Sequence, residues 1–356
     1  MHITNIDFLG RVALSGRFVI AALLLLAGTS ETMAQSRVGT TVAPFLTMGA
    51  GARGSALGHA YTADASGPDG LFWNPGSAAR VVDGLRGGAL FTTSQWVADI
   101  DYNLVGVVVP VTATGVLGIS VMTVNYGRMD VTTVARPDGT GETFGANDIS
   151  FGLTYAMPLT DQFYFGGTAK YIRQGIRDMT AQTIAVDFGF TLQTRYLNGA
   201  RLAASIMNFG GKMKMDGVNT DLQVDIAPGN TGSSESIPAR LLMHSWDLPL
   251  SFRFGLAVPA VSTENIELLL LGDVNQTNDN DLNSDLGGQL RFRTKNYRLD
   301  LRMGYKDAFV DNVDSHLTYG AGLNVQLSRV RFAFDFAYIP FDFLDNSKVI
   351  DFRVYF

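Results

Sequence analysis

The sequence predicts an all-β fold, a 14-stranded antiparallel transmembrane β-barrel with an N-terminal hatch, or plug, inside its lumen. Three observations predict it. Apolar residues make up 46% of the 356-residue chain and charged residues only 17%, yet no apolar run reaches the ~18 residues that a membrane helix needs. Much of the chain alternates apolar and polar residues with period two, as strands do. The alternating segments, each of roughly 9–14 residues, are even in number and are joined by short and long links in turn, as in bacterial outer-membrane barrels.

Composition excludes other classes. The chain has no cysteine, which removes disulfide scaffolds and thiolate metal sites. A net charge of -6 and a pI near 5.2 argue against nucleic acid as a partner.

Residues 1–34 read as a signal peptide. Arg11 and Arg17 precede the apolar run from Phe18 to Ala27, Gly28, Thr29 and Ser30 end it, and Thr32-Met33-Ala34 offers small residues for cleavage. Cleavage after Ala34 would leave Gln35 first, and without a following cysteine the product is no lipoprotein. The chain is therefore expected to leave the cytoplasm and to lodge in the outer membrane, with its lipids as partners.

Residues 35–84 show no long alternation and are expected to form the hatch. They are rich in glycine and alanine around Gly51, Ala52, Arg53 and Gly58, then carry Trp73-Asn74-Pro75. Small residues allow close backbone packing, and Asn before Pro suits a cap followed by a first helical position. A barrel of this width needs a filling, because side chains alone fill only about eight strands. The run Gly49 to Gly54 formally matches G-x-G-x-x-G, but antiparallel strands follow it, not the βαβ unit of a dinucleotide site.

Residues 85–356 are expected to form the barrel. Strands are read near 86–95, 100–110, 115–127, 147–158, 162–173, 181–194, 200–209, 248–258, 264–275, 285–294, 297–306, 317–327, 330–340 and 348–356. The alternation is plainest at the end, where Phe332, Phe334, Phe336 and Tyr338 oppose Arg331, Ala333, Asp335 and Ala337. It is weakest in 100–110, where Val107, Val108 and Val109 interrupt it. Links at 127–146, 174–180, 210–247, 276–284, 307–316 and 341–347 read as long outer loops, those between them as short periplasmic turns. The 210–247 loop is polar, with Lys212, Lys214, Asp216, Asp221, Asp225 and Glu235. The polar strand faces are expected to line the lumen with Lys170, Asp187, Arg291, Arg293, Arg298, Asp300, Arg302, Arg331, Asp335, Asp351 and Arg353. The apolar faces are expected to meet lipid rather than a core. The terminal Phe356 is typical of barrels inserted by the outer-membrane assembly machinery.

Motifs for catalysis are missing. His2, His59, His244 and His316 are scattered, and no G-x-S-x-G or H-E-x-x-H occurs. Ser315 and His316 are adjacent but otherwise unsupported. The expectation is a protein without enzymatic activity, cofactor or metal.

Gly51-Ala52-Arg53, Leu57-Gly58, Asp64, Asp69 and Trp73-Asn74-Pro75 resemble the opening pattern of the PorV/PorQ family of outer-membrane proteins. So do the segments around Tyr297–Lys306, Tyr319–Leu323 and Ala337–Phe341. His59 stands where a second glycine is common, and Gly76 where alanine is usual. The resemblance implies a FadL-like barrel with a hatch and a link to type IX secretion. It implies that outer loops, here 127–146 and 210–247, recognise the secretion channel or cargo without bond chemistry. The alternative is a FadL-like transporter, with a hydrophobic small molecule as ligand. A charged lumen favours the plugged scaffold over an apolar transport path.

Overall fold

The computed structural model describes residues 39–80, 84–111, 115–226, 236–308, 310 and 317–356. The expected signal peptide, Glu235, Ser315 and His316 lie outside these residues.

Fourteen antiparallel strands form the wall: β1 (Gly88–Gln95), β2 (Asp101–Pro110), β3 (Val116–Asp130), β4 (Thr143–Pro158), β5 (Phe163–Ile176), β6 (Met179–Gln193), β7 (Arg201–Gly210), β8 (Ser251–Ser262), β9 (Ile266–Thr277), β10 (Asn283–Arg293), β11 (Tyr297–Ala308), β12 (Leu317–Leu327), β13 (Val330–Ile339) and β14 (Ser347–Tyr355). Each pairs with its neighbours in sequence, and β1 pairs with β14, so the sheet closes on itself. Closure removes the open edges that a membrane cannot satisfy.

The alternation seen in the sequence is the inside–outside alternation of the wall. On β13, Phe334 and Phe336 are exposed outward, while Ala333, Asp335 and Ala337 are buried. Leu299, Leu301 and Met303 on β11, and Phe252 and Phe254 on β8, point outward in the same way. This exposed apolar band is what lipid covers. In β2 the pattern holds through the valine run: Val105, Val107 and Val109 face out, and Leu104 and Val108 face in.

The structure corrects three expectations. Residues 174–180 are not a loop: β5 runs to Ile176, β6 starts at Met179, and only Arg177 and Asp178 turn between them, with Arg177 at φ 50°. The expected loop 127–146 shortens to 131–142. β3 continues to Asp130 past an irregularity between Asn125 and Arg128, and β4 begins at Thr143. As a result β3 to β6 have 14 to 16 residues each, more than the ~9–11 that cross a bilayer. Their outer ends rise above the rest of the rim.

The third correction concerns the interior, which is not lined by charge all round. Leu104, Val108, Met122, Val124 and Ile172 on β2, β3 and β5 point inward and are buried. They pack with hatch residues Phe45, Tyr61, Leu71 and Trp73 in two apolar clusters. Part of the apolar content is thus a true core, shared between wall and hatch.

The hatch runs from one mouth to the other. Val42 N–H donates to the Asp247 carbonyl (3.0 Å) in the long outer loop, and Ala43 N–H donates to Gln174 Oε1 (3.1 Å) near the outer end of β5. The chain then forms α1 (Gly51–Ala56) and α2 (Gly70–Trp73). It ends at Arg80, beside Arg201 and Asp64 at the short-turn, periplasmic end.

Candidate functional site

Two regions carry the polar chemistry: the seat of the hatch and the outer loops.

The hatch is seated by glycines in both partners. Gly58 has φ +63°, and a Cβ there would lie 2.7 Å from the backbone nitrogen of Tyr305. Asn74 Oδ1 accepts from Gly76 N–H (3.1 Å), and its Nδ2 donates to the Phe190 carbonyl (2.9 Å) and to Thr191 Oγ1 (3.1 Å). Pro75 and Gly76 lie flat on Gly166 and Gly189 of β5 and β6, and a Cβ at Gly76 would meet the Gly189 carbonyl at 2.5 Å. That contact accounts for glycine at 76. His59 adopts φ 72°, the left-handed conformation that glycine takes without strain. Its ring packs edge-on against Trp73 at 5.7 Å, and burial, with Lys306 and Arg253 nearby, holds its imidazole well below the usual pKa. Trp73 is fully buried and donates from Nε1 to the Ala50 carbonyl (2.8 Å). Arg253 lies over its ring at 4.9 Å.

A buried ionic cluster ties α1 to the β1/β14 seam. Arg353 on β14 donates to Asp69 (2.6 and 3.1 Å), Asp335 (2.5 Å) and Asp351 (2.7 Å). Arg53 of α1 donates to Asp335 (3.1 Å), Tyr355 (3.1 Å) and Asn324 (3.3 Å). Arg302 donates to Asp335 (2.7 Å), Asp300 (3.1 Å) and Gln289 (2.7 Å). Asp351 also accepts from Thr92 Oγ1 and from the Ala52 N–H, each at 2.6 Å. Its charge thereby satisfies an orphan donor in the first turn of α1. Three guanidiniums, of Arg53, Arg302 and Arg353, thus face four carboxylates, of Asp69, Asp300, Asp335 and Asp351, inside the barrel.

The expected lumen residues divide between this cluster and other places. Asp300, Arg302, Asp335, Asp351 and Arg353 come together in it, with Arg53 of the hatch motif. Arg291 and Arg298 join through Asp300 (2.8 and 3.2 Å). Arg293 pairs with Glu267 at 3.4 Å, half exposed, and Arg331 bonds to Gln326 at 3.0 Å. Lys170 and Asp187 form a separate pair (2.7 Å) on β5 and β6, completed by Asn208. Phe356 extends the seam, exchanging backbone hydrogen bonds with Gly87 (2.9 and 3.1 Å), and its ring is exposed. Sequence reasoning missed Asp69 as the principal partner of Arg353, and Asp64 as partner of Arg80 and Arg201. Both aspartates were visible as the acidic residues of the hatch.

The outer loop between β7 and β8 is anchored at the mouth and again on β6, where Asp216 and Gly217 pair with Thr180 and Met179. Met213 and Trp246 exchange backbone hydrogen bonds (2.9 Å each), and Met213 and Leu248 are buried in the barrel mouth. Beyond them Asp221–Val224 pairs with Ile237–Arg240 in a small hairpin, held by Arg240 to Asp221 (2.9 Å) and Asp216 (3.4 Å). Val218, Ile226, Leu242 and Trp246 here, and Val134 in the β3–β4 loop, are exposed although they lie beyond the strands.

This architecture defines a class: an outer-membrane β-barrel closed by an internal hatch and capped by an outer loop. The family model for type IX secretion system protein PorV matches residues 31–243. That is more than half of the chain, and the protein belongs to the PorV family. No curated protein sequence matches it. Among solved structures it is similar to the CymD monoaromatic hydrocarbon channel, at 12% identity and TM-score 0.54, over 86% of this chain and 97% of that one. The Ralstonia pickettii toluene transporter TbuX is 11% identical, with TM-score 0.52 over 86% and 98% of the two chains. A FadL homologue from Pseudomonas aeruginosa is 11% identical, with TM-score 0.52 over 90% and 99%. At these identities the likeness is one of fold.

Proposed function

We propose that this PorV-family barrel supports type IX secretion as an interaction protein without enzymatic activity. Its outer loops dock the secretion channel or the cargo delivered to the cell surface. The observation that carries this reading is the apolar set on the outer loops. Val134, Val218, Ile226, Leu242 and Trp246 are exposed on loops beyond the strands, and exposed apolar surface outside the lipid band is a mark of protein–protein contact. Trp in particular is enriched where binding energy concentrates. The anchored base of the loop holds the patch at a fixed place over the mouth.

Transport of hydrophobic compounds is the weaker reading. Its apolar wall, from β2 to β5, is filled by hatch side chains, and a buried ionic cluster occupies the opposite side.

The test is a full-length protein with Leu242→Ser and Trp246→Ser, expressed in a strain deleted for the native gene. The expected result is normal barrel assembly and a large fall in surface-delivered protein. Undiminished delivery, alongside loss of hydrophobic-compound uptake in the deletion strain, would replace this reading with the transporter.

A further inference from the structure

At the periplasmic mouth the hatch leaves a cavity of about 200 Å³. Arg80, Arg201, Arg291, Arg293 and Arg298 ring it, and Arg53 and Arg302 close its deep end. Among the described residues, Asp64 is the one carboxylate in its lining. Among the described residues, the carboxylates in ion-pair contact with these seven arginines are Asp64, Asp69, Glu267, Asp300 and Asp335. Two of those five are also shared with Arg353.

Two donors of this lining lack an acceptor among the described residues. Gln289 is 2% exposed; its Oε1 accepts from Arg302, and its Nε2 has no hydrogen-bond partner among the described residues. Arg201 Nε is likewise buried without a partner. Buried donors are normally satisfied, so a cavity bordered by two that are not, amid guanidiniums, is built to receive acceptors. Crowding of like charge tells the same way: burial, and then Arg201 alongside, push the Arg80 guanidinium down to about 10.

We propose that this vestibule binds a phosphoryl-bearing anion presented from the periplasm, as a free phosphate or diphosphate or as a lipid phosphate headgroup. Guanidinium forks match the oxygens of such a group in two-point contacts. Donors converging from hatch, β7, β10 and β11 suit a compact, multiply charged centre better than a flat monocarboxylate. Nothing in the secretion reading requires this site, and the two stand or fall separately.

The test uses the full chain in detergent micelles free of phosphate, titrated with inorganic diphosphate by calorimetry. A parallel series adds phosphatidylglycerol to the micelles, with phosphatidylcholine as control. Saturable heat with diphosphate identifies a soluble anion, and suppression of that heat by phosphatidylglycerol alone identifies the headgroup. Either supports the site if Arg201→Gln weakens binding about tenfold or more, the worth of a charge-assisted hydrogen bond. Arg293→Gln at the half-exposed rim serves as the second variant, since Glu267 keeps Arg291, and a heat-dependent gel shift reports that each variant is folded. No saturable response to either probe, or equal affinity in wild type and both folded variants, would overturn the proposal.

Discussion

Replacing Arg353 by methionine is the sharpest probe of how the hatch is held. The side chain is fully buried and donates to Asp69, Asp335 and Asp351. Asp335 would keep Arg53 and Arg302, and Asp351 would keep Thr92 and the Ala52 N–H. Asp69 would be left with Arg53 at 3.8 Å. Around Asp69, Asp335 and Asp351, three guanidiniums facing three carboxylates become two facing three, all of them buried. Removing one member of such a buried set costs about 3–5 kcal/mol. The double variant R353M/D69N restores the balance and should recover part of that loss, giving a coupling of about 1–3 kcal/mol. The assay is the temperature at which the folded, fast-migrating band is lost on unboiled gels, backed by urea unfolding in lipid vesicles. R353M within about 0.5 kcal/mol of wild type, the usual range of a surface substitution, would refute the reasoning. It would mean that the cluster is hydrated and carries no hatch-binding energy.

Three further outcomes follow from the seat of the hatch. Gly58→Ala places a Cβ at φ +63°, 2.7 Å from the Tyr305 nitrogen. The left-handed conformation alone costs about 1–2 kcal/mol, and the hatch should become more susceptible to trypsin at Arg53 and Arg80 while the wall stays intact. Trp73→Ala removes a fully buried indole and its bond to Ala50, a loss of about 3–5 kcal/mol, read as the same protease sensitivity and as a lower melting temperature. Asp64 gives a pH signature. Burial on its own would raise its pKa, but Arg201 and Arg80 outweigh it and hold the carboxyl below the usual range. Its contribution is therefore complete above about pH 4, the unperturbed carboxylate value, and is lost as pH falls through the depressed folded value. Protease access at the periplasmic end of the hatch should rise on acidification below that point, and Asp64→Asn should flatten the profile.

The wall was legible because a membrane barrel repeats one physical demand. Every strand must present apolar residues to lipid, and in β11 to β14 nothing interferes with that alternation. It was harder to read in β2, where Val107 to Val109 are apolar on both faces because Val108 packs on Leu71 of the hatch. The ends of β3 to β6 were misplaced for a related reason. Above the bilayer both faces of a strand meet water, so Gln174 to Thr180 carries no period to follow. The charged residues of the lumen were visible, but their partners were not. Which carboxylate meets Arg353 depends on the path of the hatch, and Asp69 lies 284 positions away in sequence. Close backbone approach leaves only a trace, in Gly58, Gly166, Gly189 and Gly304, and glycine has too many other uses for that trace to name its partner.

The closed ring has a consequence for how the molecule is made. The hatch lies inside a wall whose first and last strands meet at one seam, and contacts that hold α1 lie on that seam: Thr92 on β1, with Asp351 and Arg353 on β14. A completed ring with an empty centre would face its own unmatched charges across the gap. A hatch arriving after closure would have to thread a bounded hole. The last strand in sequence thus finds its docking groups on residues 52, 53 and 69, which precede it in the chain. A hatch in place before closure would serve as the mandrel on which the cylinder is wound.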